Sequence, residues 1–226
     1  PYRRQRQMCI RDSCAAFGTV TGIFIAYLNV PPFIATLAMM EIVYGIGLIV
    51  TNATPLGGYV EAYTNVANKK FLGINYLIWI AIIVAAITWF IFNMTRHGKY
   101  MYAIGGNPQA AEVAGVPVKA TLILIYMKAA AMYGLAGFML GAKAGGASVQ
   151  TGYGYEMEAI AACTIGGVSV TGGRGKVSSA IIGVAVFELL KVALQYLGMN
   201  ANAQYIAIGV VIFVAISLDI RKYIAR

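Results

Sequence analysis

Charge is scarce in this sequence: Asp, Glu, Lys and Arg make up 11% of the 226 residues, against 60% hydrophobic ones. A soluble chain of this length cannot hide so much apolar side chain in one core, which excludes a water-soluble domain and makes the bilayer the solvent. Histidine occurs once, at His97, and cysteine only at Cys9, Cys14 and Cys163, with no CxxC pair. Neither a disulfide framework nor a metal site is expected. A GxxxxGK[ST] phosphate loop is also missing, since GGRGK at 172–176 has neither its spacing nor a hydroxyl residue after Lys176. Nucleophile–base constellations are lacking as well, so no catalytic residue is assigned and the chain is read as a non-enzyme. Acidic residues are the rarer charges, 8 against 17 basic ones. In so apolar a chain that excess bears on membrane sidedness, and nucleic acid is not expected as a partner.

What the sequence does have is long apolar runs, seven of them, at 15–28, 33–51, 75–93, 121–140, 158–170, 177–197 and 204–220. A helix needs about 20 residues to cross the hydrocarbon core, so most can span, while the first and fifth are short. The fifth is expected either to start earlier, near Gly154, or to be a broken helix shielded by its neighbours, because unpaired backbone in lipid costs too much otherwise. The expected fold class is all-α, a polytopic membrane bundle of these segments.

Placing the loop 94–120 in the cytoplasm and alternating sides puts Arg96, Lys99, Lys119, Arg174, Lys176, Arg221, Lys222 and Arg226 inside. Only Lys69, Lys70 and Lys143 fall outside, which predicts a cytoplasmic C-terminus and an outer connection at 52–74. Ala130 with Gly134 and Gly137 with Gly141 recur at four-residue spacing, a pattern for close helix packing. Inside one span Glu188 and Lys191 stand at i,i+3 and are expected to neutralise each other. Lys128 is expected to snorkel to the cytoplasmic surface. Tyr44, Trp79, Trp89, Tyr126 and Tyr133 are read mainly as interfacial anchors.

Residues 1–13 stand apart. They carry Arg3, Arg4, Arg6 and Arg11 with almost no apolar run, and the chain turns membrane-like at Cys14 without a loop signal. They are read as a non-native head resembling translated adapter sequence, and 14–226 as the transmembrane domain.

Two stretches carry the functional reading. In the first, Asn107 suits an N-cap, Pro108 the first helical position, and Gly115 with Pro117 a stop, predicting one short helix over 108–114 with an apolar surface of Ala110, Ala111, Val113 and Ala114. From the residues alone, a connecting loop and a docking element are equally open. In the second, 155–177, Glu156 and Glu158 lie at the outer end, Gly166 and Gly167 in the middle, and Gly172, Gly173 and Gly175 at the inner end. Glycines permit close approach and unwound backbone, so this stretch is a candidate translocation path. The alternative is a short, closely packed helix with two interfacial carboxylates.

The strings GKYMYAIGGNPQAAEVAGVPV at 98–118, YEMEAIAACTIGGVSVTGGRGKV at 155–177, IAYLNVPPFIATLAMMEIVYG at 25–45 and QYIAIGVVIFVAISLD at 204–219 resemble ABC-transporter permeases for monosaccharides, the ribose, xylose and galactose group. AYLNVPPFI and AIAACTIGGVS look most like its galactose/methyl-galactoside branch. The resemblance implies that Gly105, Gly106, Asn107, Pro108, Ala110, Ala111 and Gly115 belong to a coupling segment that docks on a separate ATPase subunit. It also implies a periplasmic or lipid-anchored sugar-binding protein, a second permease subunit, and a site in the bacterial inner membrane. ATP is then used by the partner, and no cofactor is bound by this chain. Relatives carry further spans upstream, so the chain is expected to be the C-terminal portion of one permease. Lys128 departs from the pattern, where a neutral residue is expected. The rival classes are an ion-coupled secondary transporter, with Glu188 its one candidate midplane carboxylate, and a non-transporting membrane scaffold.

Overall fold

In the computed structural model the backbone is described for residues 2–59, 61–71 and 73–224, and side chains for 13–59, 61, 63–71, 73–200 and 203–217. The elements are α1 (Tyr2–Leu28), α2 (Pro32–Thr51), α3 (Glu61–Asn68), β1 (Lys70–Phe71), β2 (Ile74–Asn75), α4 (Tyr76–Met94), α5 (Arg96–Gly106), α6 (Pro108–Val113), α7 (Val118–Ala144), α8 (Tyr155–Ile165), α9 (Val177–Tyr196) and α10 (Ala201–Ile224). Six of the seven apolar runs lie in helices to within a residue, and the fifth is helical only as far as Ile165. Among the described residues four helices are long and apolar enough to cross a membrane, Pro32–Thr51, Tyr76–Met94, Val118–Ala144 and Val177–Tyr196, and Ser13–Leu28 and Ala203–Ser217 are shorter apolar stretches. α8 has 11 residues, so the fifth run does not span as a helix by itself. It begins next to Gly154, as one of the two expectations had it, and ends at Ile165 in a turn with no second helical piece before Val177.

Local chemistry sets the helix ends. Pro32 opens α2 and Asn52, left-handed at φ 50°, closes it. The side-chain oxygen of Asn200 accepts from the Ala203 N–H at 2.8 Å and caps α10. Apolar surface is turned outward where lipid would meet it: among the described residues α2 and α4 bury none, and Ile49 and Val50 are more than three-quarters exposed.

The chain forms two compact units, one of residues up to Ala86 with Glu112–Gly152, the other of Ile87–Ala111 with Tyr153–Arg226. In the first, α1 lies along α7 at glycine contacts. A Cβ added at Gly18 would collide with the Ala130 side chain, and one at Gly22 would come within 2.8 Å of the Ile123 backbone. Of the small residues predicted to pack on α7, Ala130 meets α1 at Gly18, whereas Gly137 has open space around it and Gly141 faces the Tyr63 hydroxyl. The segment 52–74, expected only as a connection, contains α3 and the antiparallel hairpin pairing Lys70 with Asn75 and Phe71 with Ile74. α3 is moored by Tyr63, whose hydroxyl donates to the Phe138 carbonyl at 2.6 Å. Burial pushes the Tyr63 pKa up, with Tyr59 adding to the shift, so the hydroxyl stays a neutral donor.

In the second unit the core is Ala161, Ala162, Phe187 and Ile208 from α8, α9 and α10, with Ile165 and Ile212 packed on it. α1 runs through the compositional break after Ser13. Of the residues set apart at 1–13, only Ser13 has a described side chain, and the side chains of Arg221, Lys222 and Arg226 also lie outside the described residues.

Candidate functional site

The stretch 95–115 is two helices joined through one residue. Thr95 caps α5, accepting from the Gly98 N–H at 3.2 Å. Asn107 is extended, at φ −157° and ψ 106°. Its N–H still donates to the Ala103 carbonyl of α5 at 3.1 Å, while its Oδ1 and backbone oxygen accept from the Ala110 and Ala111 N–H groups, both at 3.0 Å. With Pro108 at the first helical position, α6 starts where the cap chemistry places it. Gly115 follows in the left-handed region at φ 82°, and the helix ends at Val113, one residue short of the expected 114.

One expectation about this helix is overturned. Ala110 and Ala111 were to share an exposed face, but Ala111 is buried, only 4% exposed, while Val113 is 91% exposed and Ala110 is exposed too. Successive helical residues point about 100° apart, so neighbours in sequence do not face the same way. Residues three apart do, and the outward face of α6 is Ala110 with Val113.

The second stretch is a short helix, a glycine turn and a long helix. α8 stops at a glycine C-cap: the Gly167 N–H donates to the Thr164 carbonyl and the Val168 N–H to the Cys163 carbonyl, both at 2.9 Å, with Gly167 at φ 85°. Gly166 does something different. A Cβ there would collide with the Ser179 carbonyl and stand 3.2 Å from the Gly183 Cα, and one at Gly183 would strike the Ala162 carbonyl. Hence α8 and α9 cross backbone to backbone at Gly166 and Gly183. Sequence reasoning singled out Gly166 and missed Gly183, which sits unremarked in an apolar run.

Beyond the crossing the turn is tied by the Ser169 N–H donating to the Arg174 carbonyl at 3.1 Å, and Gly172 and Gly173 are left-handed at φ 94° and 71°. They rest on α5. A Cβ on Gly173 would lie 2.8 Å from the Gly105 carbonyl carbon and the Gly106 nitrogen, and one on Gly105 would collide with the Gly173 nitrogen. Beside this contact the Tyr102 hydroxyl donates to the Gly175 carbonyl at 2.8 Å, its ring edge-on to Phe92 at 5.9 Å. Gly105 and Gly173, assigned from sequence to two separate sites, are in contact. Gly106 is exposed and has open space around it.

Lys191 pairs with two carboxylates, one of them expected. Lys191 Nζ lies 2.8 Å from Glu158 Oε2, with both side chains about one-fifth exposed, and 3.8 Å from Glu188, whose side chain is 59% exposed. The expected Glu188–Lys191 pair is therefore present, and a shorter bridge from Lys191 to Glu158, which the sequence reading missed, ties α9 to α8. Glu156 has no part in that bridge; with Glu158 it supplies negative charge in the first turn of α8, where the helix dipole favours it.

The sequence is similar to those of known proteins. The chain is 41% identical over 216 residues to the galactose/methyl galactoside import permease protein MglC of Haemophilus influenzae, covering 92% of this chain and 64% of that protein. The Escherichia coli K12 protein of the same name is 40% identical over 217 residues with the same coverage. The ribose import permease protein RbsC of Escherichia coli K12 is 35% identical over 212 residues, covering 92% of this chain and 66% of its own. The chain thus spans somewhat less than two-thirds of the length of these relatives. No solved structure matches it. Residues 14–216 match the model of the branched-chain amino acid transport system / permease component family, and the chain belongs to that family.

Proposed function

We propose that this chain is the membrane-spanning subunit of an ATP-driven monosaccharide importer, with galactose or a methyl galactoside as cargo, and that α6 docks it on a separate ATPase. The observation that carries the reading is the capped helix α6 with its bared Ala110 and Val113, set within a chain 41% identical to a galactose/methyl galactoside import permease. A short, sharply delimited helix with a small apolar face fits a groove on another protein and moves as a rigid body. The partners in this reading are the ATPase, a periplasmic or lipid-anchored sugar-binding protein and a second permease subunit. ATP is spent in the partner, the chain itself binds no cofactor, and the protein sits in the bacterial inner membrane with its C-terminus in the cytoplasm. Ribose-type cargo is the alternative within the class, suggested by the 35% identity to a ribose import permease. A gradient-driven carrier would need a midplane carboxylate free to bind an ion, and its one candidate, Glu188, lies 3.8 Å from the Lys191 ammonium.

The test is replacement of Ala110 or Val113 by Arg in the complete permease produced with its ATPase. Both side chains are exposed, so the protein should keep its stability to within about 0.5 kcal/mol. Copurified ATPase and sugar uptake are expected to fall roughly tenfold or more, which corresponds to about 1.4 kcal/mol of docking energy. Ala111→Arg serves as the contrast, because it forces a cation into a buried position and should lower the yield of folded protein. Parental ATPase retention by both exposed variants would show that α6 is not the docking element. Uptake that follows a proton or sodium gradient without the ATPase would remove the importer reading altogether.

A further inference from the structure

We infer that Tyr102 is a positioning residue for transport: with Gly105 and Gly173 it clamps α5 to the glycine turn, so that displacement of the coupling segment reaches α8 and α9. This rests on the docking role proposed for α6 and adds the route by which its movement is delivered.

The turn is where such a displacement would otherwise be lost. Between 166 and 175 half of the residues are glycine: Gly166, Gly167, Gly172, Gly173 and Gly175. Glycine-rich backbone has the most conformational freedom to absorb motion, and beyond the Ser169–Arg174 hydrogen bond within the turn it is stiffened by contacts from outside. Those contacts come from α5. The Gly105–Gly173 approach is backbone on backbone with no side chain to give way, and Tyr102 adds a side-chain hydrogen bond to Gly175 at the end of the same turn. The ring of Tyr102 is itself set by Phe92.

Both ends of this clamp lead onward through short connections. Toward the ATPase side, Asn107 alone separates α5 from α6 and hydrogen-bonds into both, so the two helices have no slack between them. Toward the membrane, α8 is held on α9 at its C-terminal end by the Gly166–Gly183 crossing and in its first turn by the Glu158–Lys191 bridge. Residues 87–111 and 153–226, which contain α5, the turn, α8 and α9, form one compact unit. Packed backbone with discrete contacts transmits a shift, whereas a loose turn absorbs it.

Tyr102→Phe removes the hydrogen bond and leaves the ring, so the fold should survive. The experiment uses the complete permease produced with its ATPase and sugar-binding protein in vesicles, with galactose as the probe. Four quantities are measured: ATPase copurification, basal hydrolysis, hydrolysis stimulated by the loaded binding protein, and uptake. Copurification and basal hydrolysis are expected at parental levels, while stimulated hydrolysis and uptake fall about fivefold, the equivalent of one hydrogen bond of about 1 kcal/mol. Amide exchange should quicken at 168–176 and stay unchanged in α10, which a general loss of stability would not produce. Parental stimulated hydrolysis in Tyr102→Phe overturns this inference alone, even where exchange quickens. Lost copurification in the variant also overturns it, by moving Tyr102 into docking. A parental permease that retains no ATPase overturns the proposed function and this inference with it.

Discussion

Replacing Gly166 with leucine is expected to abolish sugar uptake while leaving the protein inserted in the membrane. A Cβ at this position has nowhere to go: it meets the Ser179 carbonyl directly and lies 3.2 Å from the Gly183 Cα, and both belong to the backbone of α9. Flexible side chains can rotate out of the way, but a helix backbone has to move as a whole. Overpacking of this kind costs about 1–3 kcal/mol and more where backbone must shift. Insertion responds to apolarity rather than to packing, and leucine is more apolar than glycine, so the protein should reach the membrane at parental levels. Its thermal stability in detergent should drop together with uptake. Gly167→Leu is the informative contrast. Nothing lies within 4 Å of a Cβ there, and the cost is the left-handed φ of 85°, about 1–2 kcal/mol for a residue other than glycine. The expected order is therefore a severe loss at Gly166 and a partial one at Gly167. A Gly167 variant that is the more damaged of the two, or a Gly166 variant with parental melting and uptake, would show that the α8–α9 crossing is not what this pair of glycines serves.

That contrast separates residues which the sequence presents as equals. Two adjacent glycines in an apolar run announce close packing or unwound backbone, but not which of them does which. The difference depends on Gly183 and Ser179, from another helix. The same limit applies to Gly105 and Gly173. Each is visible as a glycine in a suggestive string, yet 68 residues separate them and nothing local says that they touch. By contrast, the caps of α6 were legible, because Asn107, Pro108 and Gly115 act on their own neighbours within a few residues. The apolar runs were legible for a related reason: the bilayer imposes length and apolarity on each span independently of its neighbours.

What could be missed locally was missed at two places. α5, RHGKYMYAIGG, contains three glycines and no apolar stripe long enough to suggest a membrane helix, so propensity argued against it. Its N-cap, Thr95, was a usable signal, since threonine accepts from the Gly98 N–H three residues on. On α1, Gly18 and Gly22 form the same four-residue small-residue pattern as Ala130 and Gly134 on α7, a few residues after a strongly basic stretch. Burial was the remaining failure: Ala111 and Ala110 are identical in chemistry, and only the phase of α6 turns one of them inward.

The ion bridge offers the sharpest test of which carboxylate Lys191 depends on. Charged side chains near the bilayer centre cost about 2.5–3.5 kcal/mol each on insertion scales unless paired. Lys191 lies between two carboxylates, at 2.8 Å from Glu158 and 3.8 Å from Glu188. Lys191→Met therefore leaves Glu158, about one-fifth exposed, without its cation, and is expected to be the most destabilising single change of the three. Glu158→Gln is milder, because Lys191 keeps Glu188 nearby. Glu188→Gln should do little, since that side chain is 59% exposed and water already screens it. Removing both partners of the short bridge, Glu158→Gln with Lys191→Met, takes away the unpaired charge and should recover most of the loss, giving a coupling of about 1–3 kcal/mol in a double-mutant cycle. The readout is the melting temperature of the purified permease in detergent, with uptake in vesicles alongside. Additive losses for Glu158 and Lys191, or a larger coupling of Lys191 to Glu188, would mean that α9 pairs its own charges and that the bridge to α8 does not hold the two helices together.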